Sequence, residues 1–383
     1  MEQIVLAGAS FVFGLDEIRE AFLNIGIEVL FAEVPYMLKY RKVPEKEKIE
    51  FTDKIPKNKI IVPLSEYWIS ECIKNDNCRI SKNALAASRS KKIFYSLMGS
   101  FKVPRIFDSI QKAKDFVKQT EKNIIVKPDG LFSGYGIKIV NKENIDEVEK
   151  FVFNAQNVNN RALKLFEIEN NNALVTEYIL GNEYSADIFY FKGKVSLVRL
   201  CKKEIVFIHG TPCTAVYQLL NISAEIKSVL EKWCNVLFEK ENIAFGQFDF
   251  IQDYDDSFVP IDFAPRIGGG IEELLKCCKK NVYADAVLNI SKKKENGVFS
   301  SDGNYLSQFN YLPIKSGRIF NDSYELLSGK KIIYKLKGDF VPECPSSSAS
   351  RVAVVIAYHK FPVEKEILDS LLIGDEHIEF WKK

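Results

Sequence analysis

VKPDGLFSGYGI, which spans Val126 to Ile137, is the most informative segment of this chain. A lysine stands at the end of an apolar strand, a loop with three glycines follows, and a second predicted strand begins at Ile137. Glycines let backbone amides approach an anion closely, and the lysine adds a positive charge. The segment has neither the G-K-[ST] motif nor the following helix of a P-loop. It therefore predicts a hairpin that covers phosphate groups, with an ordinary glycine-rich hairpin as the alternative.

Two further predicted strands each carry an aspartate between apolar neighbours. Asp249 lies in Phe248–Phe250 and Asp262 in Ile261–Phe263, and the turn 252–256 joins the strands. Because side chains alternate along a strand, the two acids can lie side by side on one face of the sheet. Carboxylates this close raise each other's pKa unless a cation lies between them, and Mg²⁺ accepts carboxylate and phosphate oxygens together. Two solvent-facing acids on an edge hairpin are the alternative.

Two more segments contain residues suited to binding a nucleotide. Arg266 stands next to the triple glycine 268–270 before a predicted helix, a setting that suits a negatively charged reacting group. The segment Val175–Asp187 consists of a strand, a glycine turn and a strand, with acids at both ends of the turn. It could join two domains and offer backbone amides to a purine. The alternative for Arg266 and its glycines is a simple tight turn, and the alternative for Val175–Asp187 is a plain β-hairpin.

The surrounding sequence predicts an α/β protein. Predicted strands over 3–7, 28–32 and 59–63 alternate with helices, which indicates a parallel sheet covered by helices. A second unit begins near residue 87 with a predicted helix over 88–99. From residue 173 the pattern is rich in strands, including one over 195–200. At about 150 residues per domain, 383 residues predict two or three units.

Composition excludes several classes of protein. With 53 Lys and Arg against 51 Asp and Glu, the net charge of +2 argues against a mainly electrostatic nucleic-acid binder. No apolar run approaches the roughly 18 residues that span a bilayer, and the N-terminus lacks a signal-peptide pattern. Eight cysteines without a C-x-x-C pair, and three histidines, indicate reduced thiols and no zinc site. We predict a cytoplasmic protein without nucleic-acid or membrane partners.

Taken together, the order and spacing of these segments resemble the ATP-grasp superfamily over residues 3–358. The similarity is greatest to carboxylate–amine ligases and to carbamoyl-phosphate-synthetase-like or biotin-carboxylase-like members. The resemblance implies an α/β (α+β) ATP-grasp fold with four parts. These are an N-terminal parallel-sheet domain (1–87), a lid subdomain (88–178), a catalytic subdomain (179–305) and a strand-rich C-terminal extension (306–383).

The resemblance also assigns roles to individual residues. It implies ATP as the nucleotide and one or two Mg²⁺ ions, with Mn²⁺ as a possible substitute. Lys127 and Arg266 take catalytic roles, and Asp249 and Asp262 take the metal. The residues implied in nucleotide binding are Lys91, Lys127, Ser133, Gly134, Gly136, Glu177, Tyr178, Ile179 and Glu183.

Three departures from the family pattern accompany this resemblance. Ser90 stands where an aspartate usually precedes the first lysine, the metal positions carry Asp in place of Glu, and Ala264 replaces the usual third metal ligand. The implied activity is an ATP-dependent ligase that converts a small-molecule carboxylate into an acyl phosphate for attack by an amine. It produces ADP and phosphate, and a homodimer is possible. A bicarbonate-activating carboxylase and a non-catalytic nucleotide-binding regulator are the alternatives.

Overall fold

The computed structural model describes residues 2–38, 51–52, 59–74, 78, 80–131, 134–158, 172–292, 300–301, 304–342, 350–360 and 362–379. The helices of these ranges are α1 (Leu15–Asn24), α2 (Pro35–Leu38), α3 (Glu66–Lys74), α4 (Lys82–Arg89), α5 (Lys91–Leu97), α6 (Ile110–Thr120), α7 (Val148–Gln156), α8 (Ala224–Leu237), α9 (Glu272–Leu275), α10 (Val282–Lys292) and α11 (Lys365–Ser370). Short 3₁₀ helices lie at Ala9–Phe11 and Ile145–Glu147.

The strands belong to four sheets. In chain order they are β1 (Glu2–Ala7), β2 (Ile27–Ala32), β3 (Phe51–Thr52), β4 (Ile60–Pro63), β5 (Ile124–Pro128), β6 (Lys138–Val140), β7 (Ala173–Glu177), β8 (Gly181–Phe191), β9 (Lys194–Ile208), β10 (Thr211–Leu219), β11 (Ile243–Asp253), β12 (Phe258–Ala264), β13 (Ser300–Ser301), β14 (Asn304–Pro313), β15 (Gly317–Ile319), β16 (Lys330–Ile333), β17 (Phe340–Val341), β18 (Ala353–Lys360), β19 (Leu372–Ile373) and β20 (Ile378–Glu379).

The N-terminal sheet is parallel, as the alternating pattern predicted. Its order is β3-β2-β1-β4, and each neighbouring pair runs in the same direction. Fully buried Ile4, Leu6 and Phe22 pack between this sheet and α1. The segment 39–59, whose many Lys, Glu and Pro residues predict a solvated connection between strands, lies largely outside the described residues.

A small antiparallel sheet, which we call the lid sheet, follows with the order β6-β5-β7. Buried Val117 of α6, Ile124 of β5 and Val148 of α7 form its own apolar cluster. This cluster gives the glycine-bearing hairpin between β5 and β6 a packed support.

The helix predicted over 88–99 is instead two helices, and this part of the prediction was wrong. Ser90 has an extended backbone (φ −150°, ψ 114°), and its hydroxyl accepts a hydrogen bond from the Ile93 amide at 3.1 Å. This N-cap ends α4 and starts α5. The aromatic rings of Phe94 and Phe263 stack 6.0 Å apart, so α5 packs on the central sheet. The start of α5 places Lys91 at its first position.

The central sheet has the strand order β12-β11-β8-β9-β10-β14-β18-β16, and its neighbouring strands are antiparallel. The strand predicted over 195–200 is too short, since β9 continues to Ile208, and β10 was not predicted. The charged run Lys202–Glu204 ends the apolar pattern, although its backbone stays in the sheet. The mixed α/β architecture is confirmed, whereas the bounds of the four parts stay predictions. Among the described helices, none has the length and apolar character needed to span a bilayer.

Candidate functional site

A cleft of about 190 Å³ lies between the lid sheet and the central sheet. Most of the predicted site residues line it, namely Lys91, Lys127, Gly134, Glu177, Tyr178, Ile179, Glu183, Asp249 and Asp262. Gly136 and Arg266 are not among its lining residues, and Ser133 lies outside the described residues. Apolar side chains complete the walls, among them Ile125, Ile205 and Ile251. The cleft therefore combines charged groups with an apolar surface.

The two aspartates that the sequence paired lie directly opposite each other. Asp249 of β11 pairs in register with Asp262 of β12, next to a bulge between Asp249 and Phe250. Each carboxylate contacts a different lysine, because Lys203 lies 2.8 Å from Asp249 and Lys91 lies 3.1 Å from Asp262. Their place on one sheet face depends on this bulge, because the register of the turn would otherwise put Ile261 opposite Asp249. Their role as metal ligands stays a prediction.

Lys203 is a site residue that the sequence analysis missed. Its ammonium lies 2.8 Å from both Glu183 and Asp249, and its side chain is only 6% exposed. Although burial acts against it, the two carboxylates raise the pKa of Lys203 above its ordinary value. Burial acts to raise the pKa of Asp249, but the Lys203 ammonium holds it below its usual range. The only sequence signal for Lys203 is its spacing on β9. It follows Arg199 and Cys201 at every second position, so the three side chains share one face of the strand.

The two predicted phosphate lysines stand close to each other, and Lys91 also contacts Asp262. Lys127 donates to the hydroxyl of Tyr95 at 2.6 Å, and that hydroxyl donates to the Ile261 carbonyl at 2.8 Å. Lys91 donates to the Leu131 carbonyl at 2.7 Å. Burial, followed by the neighbouring Lys91 ammonium, lowers the pKa of Lys127 to about 7. Both ammonium groups are buried and held in place by hydrogen bonds.

The predicted adenine-binding segment connects the two sheets. The amides of Glu177 and Tyr178 donate to the carbonyls of Arg105 and Asn123, at 2.9 and 3.0 Å. In the described part of the chain, the Ile179 amide has no such backbone acceptor. The carboxylate of Glu177 contacts Lys122 at 3.2 Å. Of the backbone amides predicted to hold adenine, that of Ile179 is thus the one available to a ligand.

Arg266 lies outside the cleft, in a link between α3 and the loop after β12. Its guanidinium contacts Glu66 at 2.6 Å and donates to the Gln247 side chain at 2.8 Å. Arg89 contacts the same Glu66 at 2.8 Å. Burial acts to raise the pKa of Glu66, but the two guanidinium groups lower it. The sequence analysis missed Glu66, which is 200 residues away from its partner.

The glycine loop after Arg266 also has a structural function. Gly268 donates its amide to the carboxylate of Asp187 at 3.0 Å, and that carboxylate forms a buried ion pair with Arg199 at 2.9 Å. A side chain at Gly268 would bring its Cβ to 2.4 Å from the Arg199 guanidinium. At least this glycine is therefore needed for close packing.

Comparison with known proteins agrees with this architecture. Residues 120–273 match the family described as the ATP-grasp domain. The chain thus contains an ATP-grasp domain, and the predicted resemblance to this superfamily is confirmed. No curated protein sequence matches the chain.

Several solved structures share the fold over nearly the whole chain. An L-amino acid ligase from Bacillus licheniformis is 13% identical, with a TM-score of 0.58 and coverage of 97% of this chain and 95% of that one. A phosphoribosylglycinamide synthetase from Anaerococcus prevotii is 16% identical, with a TM-score of 0.51 and 94% coverage of both chains. A carboxyaminoimidazole ribonucleotide synthase from Aspergillus clavatus, complexed with ATP, is 11% identical, with a TM-score of 0.55 and coverage of 97% and 98%. These similarities establish the ATP-grasp fold.

Proposed function

We propose that this protein is an ATP-dependent ligase that activates a small-molecule carboxylate as an acyl phosphate and joins it to an amine. The observation that supports this function is the presence in one cleft of two opposed aspartates and of Lys91 and Lys127. Phosphoryl transfer needs positioning and charge neutralisation rather than a covalent protein group. The cleft residues are of the type that provides both.

The proposed reaction has two steps. A carboxylate oxygen of the substrate bonds to the γ-phosphorus of ATP while the bond to the β-bridging oxygen breaks, which releases ADP. The amine then attacks the acyl carbon, and inorganic phosphate leaves. In this scheme the ammonium groups of Lys91 and Lys127 neutralise phosphate charge, and the amide of Ile179 donates to adenine. Water would hydrolyse the acyl phosphate, so the lid sheet has to exclude it.

The acidic residues of the cleft fit a divalent ion that is bound together with the nucleotide. In the described ranges, no three His, Cys, Asp or Glu side chains are grouped so that they could hold a metal ion. Asp249 and Asp262 would therefore hold Mg²⁺ only together with phosphate oxygens, which is the usual coordination of this ion. When bound, Mg²⁺ stabilises the negative charge that develops on the transferred phosphoryl group.

The size of the cleft sets a condition on nucleotide binding. Its 190 Å³ is below the roughly 300 Å³ at which small-molecule sites begin. A bound nucleotide would therefore extend beyond this volume. The cytoplasmic location and the homodimer both stay predictions.

The proposed reaction can be tested by measuring ADP release from ATP and Mg²⁺. Pools of amino acids and other carboxylates, with and without amines, are supplied, and product masses are determined. We expect ADP release that requires both a carboxylate and an amine, with a product mass equal to their sum minus water. A product that contains added bicarbonate would indicate the carboxylase alternative. Nucleotide binding without ADP release in any pool would contradict the ligase and favour a non-catalytic regulator.

The pKa of Lys127 predicts how nucleotide affinity depends on pH. Below about pH 7 the side chain is cationic and attracts phosphate, and above that pH it becomes neutral. We expect the affinity for ADP, measured without metal by calorimetry, to fall by up to about tenfold per pH unit above pH 7. In Lys127→Arg, which stays charged, we expect this dependence to be lost. The same pH profile in both proteins would contradict the assignment.

A further inference from the structure

The two predicted metal ligands differ in how many of their carboxylate oxygens already accept a hydrogen bond or contact an ammonium group. Asp249 accepts from Lys203 at one carboxylate oxygen and from the Gln247 amide, at 3.3 Å, at the other. Asp262 contacts Lys91 at 3.1 Å and accepts the Phe263 amide at 3.0 Å, both through Oδ1. In the described structure, Oδ2 of Asp262 accepts no hydrogen bond, and the contact with Lys91 is made through the other oxygen. Asp262 is thus the better placed of the two to bind an added cation.

Lys203 is firmly held next to Asp249. It lies opposite Glu183 on β8 and opposite Tyr217 on β10, and its ammonium contacts both Glu183 and Asp249 at 2.8 Å. Its side chain is 6% exposed, compared with 21% for Asp249 and 39% for Asp262. If a metal ion displaced this ammonium from the carboxylates, a buried positive charge would lose its partners, which is strongly unfavourable. If the ammonium stayed, it would repel the ion at close range.

The strand that carries Asp262 offers no further ligand. Ala264, two residues on and therefore on the same face, has only a methyl group, and it pairs in register with Gln247. The amide of Gln247 contacts Asp249 and Ser185, at 3.3 and 3.1 Å. Besides Asp262, the cleft carboxylates that a second divalent ion could approach are those of Asp249 and Glu183, and the Lys203 ammonium already contacts both.

We propose that the ammonium of Lys203 takes the place of a second divalent ion, so that this protein binds its nucleotide with a single Mg²⁺ held at Asp262. The proposal rests on the nucleotide-binding function proposed above. Lys203 then acts as a fixed positive charge facing the phosphates, while Asp249 and Glu183 position it. Asp249 is in this view a positioning residue and not a metal ligand.

The number of divalent ions per nucleotide tests the proposal directly. Mn²⁺ replaces Mg²⁺, the nonhydrolysable analogue adenylyl imidodiphosphate replaces ATP, and bound Mn²⁺ is counted by electron paramagnetic resonance. Nucleotide binding is measured in parallel by calorimetry. We expect one Mn²⁺ per bound nucleotide in the wild-type protein and two in Lys203→Met, where Asp249 is released. Lys203→Arg keeps the positive charge and should bind one Mn²⁺ per nucleotide.

Lys202→Met provides the matched control. Lys202 precedes Lys203 on β9, points to the opposite face of the sheet and contacts Glu204 at 3.1 Å. We expect Lys202→Met to bind one Mn²⁺ per nucleotide, as the wild-type protein does. Two Mn²⁺ per nucleotide in the wild-type protein would overturn the proposal, whether or not the variants fold. One Mn²⁺ in a folded, nucleotide-binding Lys203→Met would overturn the role of Lys203. Failure of the wild-type protein to bind the nucleotide would instead overturn the proposed function itself.

Discussion

Replacement of Asp262 with asparagine is expected to lower substrate-dependent ADP release by about 10²- to 10³-fold. Asp262 lines a cleft that also contains Lys91 and Lys127, and an asparagine of the same size removes its negative charge. A catalytic metal ion contributes several kcal/mol of transition-state stabilisation, and each 1.36 kcal/mol corresponds to a factor of ten in rate. The measurement is the steady-state rate of ADP release at saturating ATP and Mg²⁺.

Nucleotide binding without metal should change much less in this variant, because Lys91, Lys127 and Lys203 remain. Asp256→Asn is a suitable control, since Asp256 is an exposed aspartate in the turn of the same hairpin. Its left-handed backbone (φ 58°) is one that asparagine adopts readily. We expect the control to keep the wild-type rate. An Asp262→Asn variant with wild-type turnover would show that this carboxylate does not hold the catalytic metal.

The parts of the site that depend on local geometry could be predicted from the sequence. The strand–turn–strand hairpin that carries Asp249 and Asp262 follows from the sequence, but the pairing of the two residues does not, because it depends on the bulge between Asp249 and Phe250. The glycine-bearing hairpin after Lys127 also lies where its composition indicates. In both cases the partners are neighbours along the chain, so no knowledge of sheet order is needed.

The parts that depend on the order and length of strands could not be predicted. Lys203 meets Asp249 only because β8 lies between β9 and β11, and the predicted strand ended before the charged residues that precede Glu204. The contact of Glu66 with Arg266 joins two units through a packing arrangement that no local pattern records. Such a contact also engages Arg266, which does not line the cleft and whose catalytic role stays a prediction.

The ion pair of Asp187 and Arg199 lies fully buried between β8 and β9, and its loss is expected to destabilise the protein strongly. The two side chains are 0% and 1% exposed, and Asp187 contacts the Arg199 guanidinium at 2.9 and 3.2 Å. Asp187→Asn leaves the guanidinium buried without its opposite charge. We expect the free energy of unfolding, measured by urea denaturation, to fall by about 3–5 kcal/mol, as when one partner of a buried pair is removed.

An exposed ion pair of the same chain gives the comparison that isolates burial as the cause. Asp108 and Lys112 lie 2.7 Å apart, with side chains 72% and 62% exposed, so solvent screens their attraction. We expect Asp108→Asn to leave the free energy of unfolding nearly unchanged. Equal losses in the two variants would contradict the argument, because the contacts are of similar length and differ mainly in burial. A loss confined to Asp187→Asn would show that this pair, together with Gly268, stabilises the part of the central sheet on which the cleft is built.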